Sequence, residues 1–234
     1  MSIPLMHMPW RLRYDLKESA GGRVIVVSMG PEQAKNALKE CLSVGADQAY
    51  LVSGREFGGS DTLATSYVLS CAVRALEEKE GAPFDLIFCG KQAIDGDTGQ
   101  VGPELAEHLD CAQITYASDA VLEDGKLKVK RESDEGYDYL TAELPAVITV
   151  VKTAFEPRYA TLKSKLAAGR AQIPVLGVAD MKIDTAKCGL KGSPTKVKRT
   201  FTPVHNKTGV KLEGKSAQES VSELMNLLTD AKIL

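Results

Sequence analysis

Phe84-Asp-Leu-Ile-Phe-Cys-Gly-Lys-Gln-Ala-Ile-Asp-Gly-Asp-Thr-Gly-Gln-Val-Gly-Pro103 is the stretch that decides the fold. Its apolar start, residues 84–89, predicts a strand, and residues 104–109 predict a helix. A strand that enters a helix through a glycine-rich loop presents backbone N–H groups to an anion such as phosphate. The glycines have neither the GxGxxG spacing nor that of a P-loop, so those two motifs do not explain the loop. The glycines in question are Gly90, Gly96, Gly99 and Gly102.

The backbone of this loop is the expected source of phosphate ligands. The N–H groups from about Ile94 to Val101 are candidates, because a helix N-terminus carries about half a positive charge. Pro103 lacks an N–H, so it belongs in the first helical turn and puts the N-terminus between about residues 97 and 102. Asp95 and Asp97 would repel a phosphate, so ribose hydroxyls, loop N–H groups or helix capping suit them better.

Several side chains of the loop have two interpretations each. Gly90 is expected to let the chain turn sharply off the strand. Lys91 either pairs with a phosphate or is an ordinary exposed lysine. Thr98 and Gln100 are possible hydrogen-bond donors, and Asp97 with Gln100 also has the spacing of a capping box.

Strands and helices alternate on both sides of the loop. Strands are expected over residues 24–28, 49–52 and 113–116, a helix from Pro31 to near Gly45, and a longer helix from Ser60 or Asp61 to about Glu80. Such repeated units predict an α/β fold, Rossmann-like and doubly wound, with a mostly parallel sheet covered on both faces. Ligands of such sheets bind beyond the carboxyl ends of the strands, where the glycine-rich loop lies.

The pattern changes after residue 118. Four further strands are expected over residues 119–122, 126–131, 137–142 and 146–151, with hairpins at Asp124-Gly125 and Asp134-Glu-Gly136, which together predict an antiparallel meander. From residue 181 the chain becomes polar and basic. It recovers helical periodicity at 216–228, where Ser216 and Glu219 match a capping box. We therefore expect a nucleotide-binding domain over 1–180 and a C-terminal arm over 181–234, either packed on another subunit or a flexible tail.

Composition excludes several classes of function. The 234 residues carry a net charge of −2, which gives no reason to expect nucleic acid or a membrane as partner. No apolar run approaches the ~18 residues of a transmembrane helix, and residues 1–8 lack the basic start of a secretory signal. Five scattered cysteines without a metal spacing indicate reduced thiols and a cytoplasmic protein. The three histidines are expected on the surface, and there is no nucleophile–base pair, so no catalytic residue is predicted.

Three separated segments resemble the electron transfer flavoprotein beta subunit family. They are Val26-Val-Ser-Met-Gly-Pro31, the loop Gly90-Lys-Gln-Ala-Ile-Asp-Gly-Asp97 with Gln100, and a third that runs from Val129-Lys-Arg-Glu through Leu144-Pro-Ala-Val-Ile-Thr149 to Glu156-Pro-Arg-Tyr-Ala-Thr161. Their order and spacing also fit, and the resemblance covers about residue 12 to the C-terminus.

The resemblance implies a heterodimer with a larger alpha subunit that holds an electron-carrying FAD. The beta subunit binds AMP in one branch of the family and a second FAD in the electron-bifurcating branch. The implied partners are a flavin dehydrogenase such as acyl-CoA dehydrogenase and, in the bifurcating branch, ferredoxin or flavodoxin. There the second FAD accepts a hydride from NADH. Gly96-Asp-Thr-Gly-Gln-Val-Gly-Pro103 and Gly59-Ser-Asp-Thr-Leu-Ala-Thr65 look closer to the bifurcating branch, which favours FAD.

The resemblance also implies roles for particular residues. Met29 stands at the adenine-side position, although core packing explains it nearly as well. Asp61 and Thr62 either cap the long helix or reach the flavin. Glu156, Arg158 and Tyr159 match a subunit-contact motif, in which Arg158 faces the alpha-subunit flavin or pairs with Glu156. The cofactor-binding residues implied by the loop are Gly90, Lys91, Gln92, Ala93, Ile94, Asp95, Gly96, Asp97, Thr98, Gly99, Gln100 and Val101.

One departure from the family is expected to matter. Its usual apolar first strand and the loop after it have no counterpart here, which predicts weaker nucleotide binding than in a complete relative, and restoring that segment is expected to raise it. Two other functions remain open at this point. One is a non-redox adenine-nucleotide-binding module, and the other is a truncated fragment without function.

Overall fold

A computed structural model describes residues 16, 21–94, 96–151, 159–202, 209–213 and 216–233. The chain divides into two compact units, residues 1–196 and residues 197–234. Each unit is described by itself.

The first unit is an α/β fold, which confirms the predicted class. Its strands are β1 (Ile25–Met29), β2 (Gln48–Val52), β3 (Leu86–Gly90), β4 (Ala112–Glu123), β5 (Lys126–Ser133), β6 (Gly136–Ala142), β7 (Ala146–Val150) and β8 (Val175–Leu176). Its helices are α1 (Ala34–Ser43), α2 (Thr62–Glu80), α3 (Val101–Leu109), α4 (Leu162–Arg170) and the single turn α5 (Gly189–Gly192).

The strands form two sheets. In the first, β1, β2 and β8 are parallel neighbours. The second has the order β3-β7-β4-β5-β6, in which β3, β7 and the start of β4 are parallel and the rest is antiparallel. Among the described residues, β1 pairs only with β2 and β3 only with β7. The predicted lack of the family's first strand concerns residues before β1, most of which lie outside the described residues, so it stays a prediction.

Helices cover both faces of the first sheet, as expected for this fold class. On one face Leu38 of α1 packs against Val26 and Leu51. On the other face Val68 of α2 packs with Val52. Successive residues of a strand point to opposite faces, so β2 serves both cores. Each fully buried aliphatic side chain stabilises the fold by about 1.5–3 kcal/mol relative to an exposed one.

Strand β7 is the most buried strand of the second sheet. All five of its residues are buried, whereas β3 is only partly buried. The reason is that β7 has a strand on each side and α3 against one face. The strand therefore forms a rigid support for whatever the N-terminus of α3 binds.

The predicted meander is present, with one correction. Asp124 and Gly125 both have positive φ, 52° and 73°, as a type I′ hairpin turn requires, and Ser133 pairs with Gly136 across the second hairpin. Two strands were expected over 113–116 and 119–122, but the structure has the single strand β4. The pairing of β4 with β7 shifts register between Ile114 and Ala117. A β-bulge therefore bends one continuous strand close to the gap, at residues 117–118, between the two expected strands.

Residues 181–196 belong to the first unit. Met181 and Cys188 are buried in the core beneath α2, and the backbone N–H of Asp61 donates to the Ser193 hydroxyl at 2.8 Å. The change of composition near residue 181 therefore does not coincide with the division at residue 196.

The second unit contains the predicted C-terminal helix, α6 (Ala217–Asp230). Its capping box is present, because the Ser216 hydroxyl accepts from the Glu219 N–H and the Glu219 carboxylate accepts from the Ser216 N–H, both at 3.2 Å. None of the described helices combines the length and apolar character that crossing a bilayer requires.

Candidate functional site

The glycine-rich loop lies at the carboxyl end of β3 and leads into α3. The Lys91 N–H donates to the Val150 carbonyl at 2.9 Å, which ties the start of the loop to β7. The Gln92 amide donates to the Asp97 carboxylate at 2.8 Å, and the Asp97 N–H donates to the Ala93 carbonyl at 3.0 Å. These bonds close the loop on itself, while its described residues from Gly90 to Thr98 are exposed. Asp95 lies outside the described residues.

Helix α3 begins at Val101, within the range of residues 97–102 that Pro103 predicted for its N-terminus, although the residue pattern indicated a helix only from residue 104. Pro103 is in the first turn as predicted. The capping interpretation of Asp97 with Gln100 is wrong. Gln100 is the N-cap without a side-chain cap bond, and Asp97 bonds to Gln92 instead. The first N–H groups of a helix have no partner within it, which makes the N–H of half-buried Val101 a candidate donor to a ligand, whereas Gly102 is buried.

Gly102 is the glycine that the packing requires. A Cβ there would lie 2.3 Å from the Thr149 Cγ2 atom and 3.4 Å from the Cys89 Cβ atom, so only glycine lets α3 approach β7 this closely. Gly99 has φ +65°. Gly90 differs from its prediction. It ends β3 in register with Val150, without the positive φ that demands glycine, and a Cβ there would meet only the Gln92 carbonyl, at 3.9 Å.

The N-termini of α2 and α3 meet beside the loop. The Thr62 hydroxyl lies 3.1 Å from Gln100 Oε1 and 3.2 Å from Glu104 Oε1, so Thr62 bridges the two helices. The other oxygen of Glu104 is buried and has no hydrogen-bond partner among the described residues. The Glu104 carboxylate would repel a phosphate on the side of the α3 N-terminus that faces α2.

Asp61 caps α2, one of the two roles expected for it. Its carboxylate accepts from the Ala64 N–H at 3.1 Å and from the Thr195 N–H and hydroxyl at 2.9 and 2.8 Å. Burial raises the pKa of this carboxyl, but these hydrogen bonds outweigh burial and bring the pKa below its usual value of 3.8. A contact of Asp61 with a flavin stays a prediction.

Met29 ends β1 and is partly buried against the core that contains Tyr50 and Val52, so the packing interpretation of Met29 is observed. Tyr159 is 86% exposed, while Glu156 and Arg158 lie outside the described residues. The structure therefore brings Thr62, the loop and α3 together. Among the described residues, no hydrogen bond or ring contact joins Tyr159 to this group. Within the described part of the chain, no cluster of side chains could hold a metal ion.

One histidine differs from its surface prediction. The ring of His108 packs edge-on against Tyr67 at 5.8 Å between centroids, and its Nε2 atom is buried. His7 and His205 lie outside the described residues.

Tyr116 is a residue of this region that the sequence did not reveal. It lies in β4 with φ +58°, and the Lys91 ammonium is 5.0 Å from the centre of its ring. The sequence signal, an aromatic residue at the end of an expected strand, is too common to single it out.

A cavity of about 450 Å³ lies elsewhere, between α1, β2 and α4. Asp47 and Gln48, at the amino end of β2, form part of its wall. The loop lies at the carboxyl end of the parallel strands, so this cavity is not part of the predicted site.

A sequence model of the family described as "Electron transfer flavoprotein domain" matches residues 14–181. The chain is 47% identical over 215 residues to the electron transfer flavoprotein subunit beta of Megasphaera elsdenii, covering 91% of this chain and 80% of that protein.

Two further relatives carry other names. The caffeyl-CoA reductase-Etf complex subunit CarD of Acetobacterium woodii is 38% identical over 217 residues, 93% of this chain and 81% of the relative. Protein FixA of Azotobacter vinelandii is 47% identical over 192 residues, 80% and 68% of the two chains.

Proposed function

Because this chain belongs to the electron transfer flavoprotein family, as a beta-type subunit with a role in electron transfer, we propose that it binds FAD on the loop from Gly90 to Val101. AMP is the alternative ligand. The observation that carries this proposal is the loop itself. Exposed main chain at the carboxyl end of β3 leads into a helix N-terminus that Gly102 brings against β7.

The residues present fit a phosphate group. The N–H group of half-buried Val101 has no partner within α3, and the dipole of the helix favours an anion at its N-terminus. The Lys91 ammonium adds a full positive charge at the start of the loop. The hydrogen bond between Gln92 and Asp97 holds the loop in shape before a ligand arrives, which lowers the ordering cost of binding.

The residue types of the loop indicate which roles belong to the cofactor and which to the polypeptide. Bound FAD would supply the ring that accepts and donates electrons, and the polypeptide would bind, orient and tune it. This fits the lack of a predicted catalytic side chain. FAD is preferred over AMP because the loop and the segment of residues 59–65 look closer to the bifurcating branch of the family.

We propose an alpha subunit with its own FAD as the partner. Exposed Tyr159 and an exposed apolar row on α6 support such an interface, because large apolar side chains in water are typical of association surfaces. The row on α6 consists of Val221, Leu224, Met225 and Leu227. We further propose a flavin dehydrogenase such as acyl-CoA dehydrogenase as electron partner, which the name of the caffeyl-CoA reductase complex supports. If the protein takes part in electron bifurcation, we propose ferredoxin or flavodoxin as a further electron acceptor. We also propose that the protein is cytoplasmic.

The test is to co-express this chain with an electron transfer flavoprotein alpha subunit and count the nucleotides per dimer. The alpha subunit purified alone gives the baseline. We expect one FAD more than the baseline, and an AMP in its place would support the alternative ligand. A dimer with no nucleotide beyond the baseline, or failure of the two chains to co-purify, would contradict the proposal.

A further inference from the structure

Tyr116 has a backbone conformation that its position in a strand does not explain. Positive φ is uncommon outside glycine, and for a bulky residue it marks a turn or strain. Asp124 lies in a hairpin turn, and Asp110 follows the end of α3, but Tyr116 with φ +58° lies inside β4. Strained residues persist where the surroundings hold them in place, and they concentrate at functional sites.

A register shift between β4 and β7 and a hydrogen bond to Thr149 hold Tyr116 in this conformation. The register of β4 against β7 runs from Ile114 opposite Ile148 to Ala117 opposite Val150, so β4 has one residue more than β7 in this interval. The Tyr116 N–H donates to the hydroxyl of buried Thr149 at 3.0 Å. A bulge of this kind re-aims a side chain relative to a regular strand.

The re-aimed ring contacts Lys91 at the start of the glycine-rich loop and lies near Gly99 toward its end. The Lys91 ammonium lies 5.0 Å from the ring centre, within the range of a cation–π contact. At the other end, a Cβ on Gly99 would lie 3.9 Å from the Tyr116 hydroxyl and 3.5 Å from the Lys91 carbonyl. Tyr116 thus lies where the loop leaves β3 and where it returns toward α3.

We propose that Tyr116 is a positioning residue for ligand binding: its ring holds the Lys91 ammonium at the mouth of the loop, so that Lys91 faces the phosphate of the ligand. The inference rests on the proposed function, because it needs a phosphate-bearing nucleotide at this loop. A free lysine side chain samples many rotamers, and holding it in one region removes part of the entropy cost of a phosphate contact.

The chain offers a matched control for this contact. The Lys130 ammonium lies 4.0 Å from the centre of the Tyr137 ring on the exposed β5–β6 hairpin. This is the same pair of residue types in the same sheet, but it is not in contact with the loop. Variants of that pair report the general effect of losing a cation–π contact.

The test measures binding of AMP and of FAD to the full chain, co-purified with an alpha subunit, at several salt concentrations. The variants are Tyr116→Leu, Tyr116→Phe, Lys91→Gln, the double variant Tyr116→Leu/Lys91→Gln, and the control Tyr137→Leu. We expect Tyr116→Leu to weaken binding about two- to fivefold, the size of a cation–π contact at an exposed site. We also expect it to reduce the salt dependence of Kd, as Lys91→Gln does. Tyr116→Phe keeps the ring and is expected to bind like the wild type.

The double variant separates positioning from general structure. If the ring acts through Lys91, the double variant binds no more weakly than Lys91→Gln alone. The inference would be overturned if the losses of affinity of the two single variants add in the double variant. It would also be overturned if Tyr116→Leu matches Tyr137→Leu in Kd and salt dependence. Either result would leave the proposed function standing. A wild-type chain that binds neither AMP nor FAD would overturn both.

A second measurement does not depend on how well Tyr116→Leu folds. In the wild-type protein, the ring should displace the NMR signals of the Lys91 ε-methylene protons upfield of those of exposed lysines, and AMP should shift them further. Lys91 signals at the position of an ordinary exposed lysine would contradict the inference.

Discussion

Asp61 shows how one carboxylate connects distant parts of the chain. It caps α2 through the Ala64 N–H and also accepts two hydrogen bonds from Thr195. Sequence spacing indicated the cap, because Asp before a helical run is a common start signal. The bonds to Thr195 join residues 134 positions apart and follow only from the folded chain.

We predict that Asp61→Asn lowers the free energy of unfolding at pH 7 by about 1.5–3 kcal/mol, the scale of hydrogen bonds to a charged group. Asparagine caps helices as well as aspartate, but it offers one acceptor oxygen where Asp61 uses both, Oδ1 toward Ala64 and Oδ2 toward Thr195. The substitution therefore removes the charge together with an acceptor for Thr195. The pKa of Asp61 is lower in the folded than in the unfolded chain, so as the pH falls the unfolded chain takes up the proton first. The contribution of the charge is therefore complete above the ordinary pKa of 3.8 and lost as the pH falls through the lower folded pKa.

Urea unfolding of both proteins from pH 7 to pH 2.5 measures this difference. Asp138→Asn, on exposed β6, is the control and should stay within about 0.5 kcal/mol of the wild type. A wild-type advantage over Asp61→Asn that persists unchanged at the lowest pH would show that the charge is not responsible.

At the scale of elements, the contact between α3 and β7 forms the candidate site. Thr149 contributes twice, since its methyl group packs against Gly102 and its hydroxyl accepts from the Tyr116 N–H. The start of the helix and the bulge of β4 are therefore set by the same residue of the buried strand β7. A shift of α3 would move the N–H groups of its first turn away from the ligand.

We predict that Gly102→Ala destabilises the protein by about 1–3 kcal/mol, as overpacking of a core typically does, and weakens nucleotide binding. The cause is the 2.3 Å approach of the new Cβ to the Thr149 methyl. Thermal unfolding and AMP binding measure the two effects. Gly90→Ala is the matched control in the same loop, where a Cβ meets nothing closer than 3.9 Å, and it should be neutral for stability.

A compensating variant sharpens this prediction. Thr149→Ser removes the clashing methyl and keeps the hydroxyl that Tyr116 needs. Gly102→Ala should therefore cost less in a Thr149→Ser background than in the wild type. Equal costs in the two backgrounds would show that the close approach at Thr149 is not the cause.

At the scale of the whole molecule, the two units differ in what they can do alone. The first unit buries three apolar cores between its sheets and helices. The second has no buried residue along α6, and Val221 and Leu224 are 58% and 43% exposed on it. A helix with an apolar row in water gains stability by covering that row with another protein surface.

We predict that Leu224→Lys weakens co-purification with an alpha subunit at least tenfold and changes the unfolding free energy of this chain alone by less than about 0.5 kcal/mol. A lysine in the covered row would bury an unpaired charge, while an exposed position tolerates it. Asn226→Lys adds the same residue on another side of α6 and is the control. Equal loss of partner in both variants would contradict an interface on the apolar row.

The sequence predicted much of the fold, and its failures have physical reasons. Continuous apolar strands, helical periodicity and the two hairpin turns are local signals, and they predicted most elements. The helix α4 (Leu162–Arg170) was not predicted. Strand β8 was missed because two residues carry no periodicity of their own and pair only because β2 is already in place. Pro103 correctly predicted an N-terminus of α3 between residues 97 and 102. The residue pattern alone indicated a helix only from residue 104, because Gly102 is a poor helix former on its own and its contact with Thr149 outweighs that preference.

By itself, the sequence determined the α/β class, the glycine-rich loop at the end of β3 and the family to which the chain belongs, because these depend on residue types at short spacing. The tertiary structure alone decided which residues meet at that loop. Thr62 joins α3 through its hydroxyl, Asp61 is engaged by Thr195, and a bulge places the Tyr116 ring beside Lys91. Such contacts join distant positions and depend on register and packing, which local patterns do not encode.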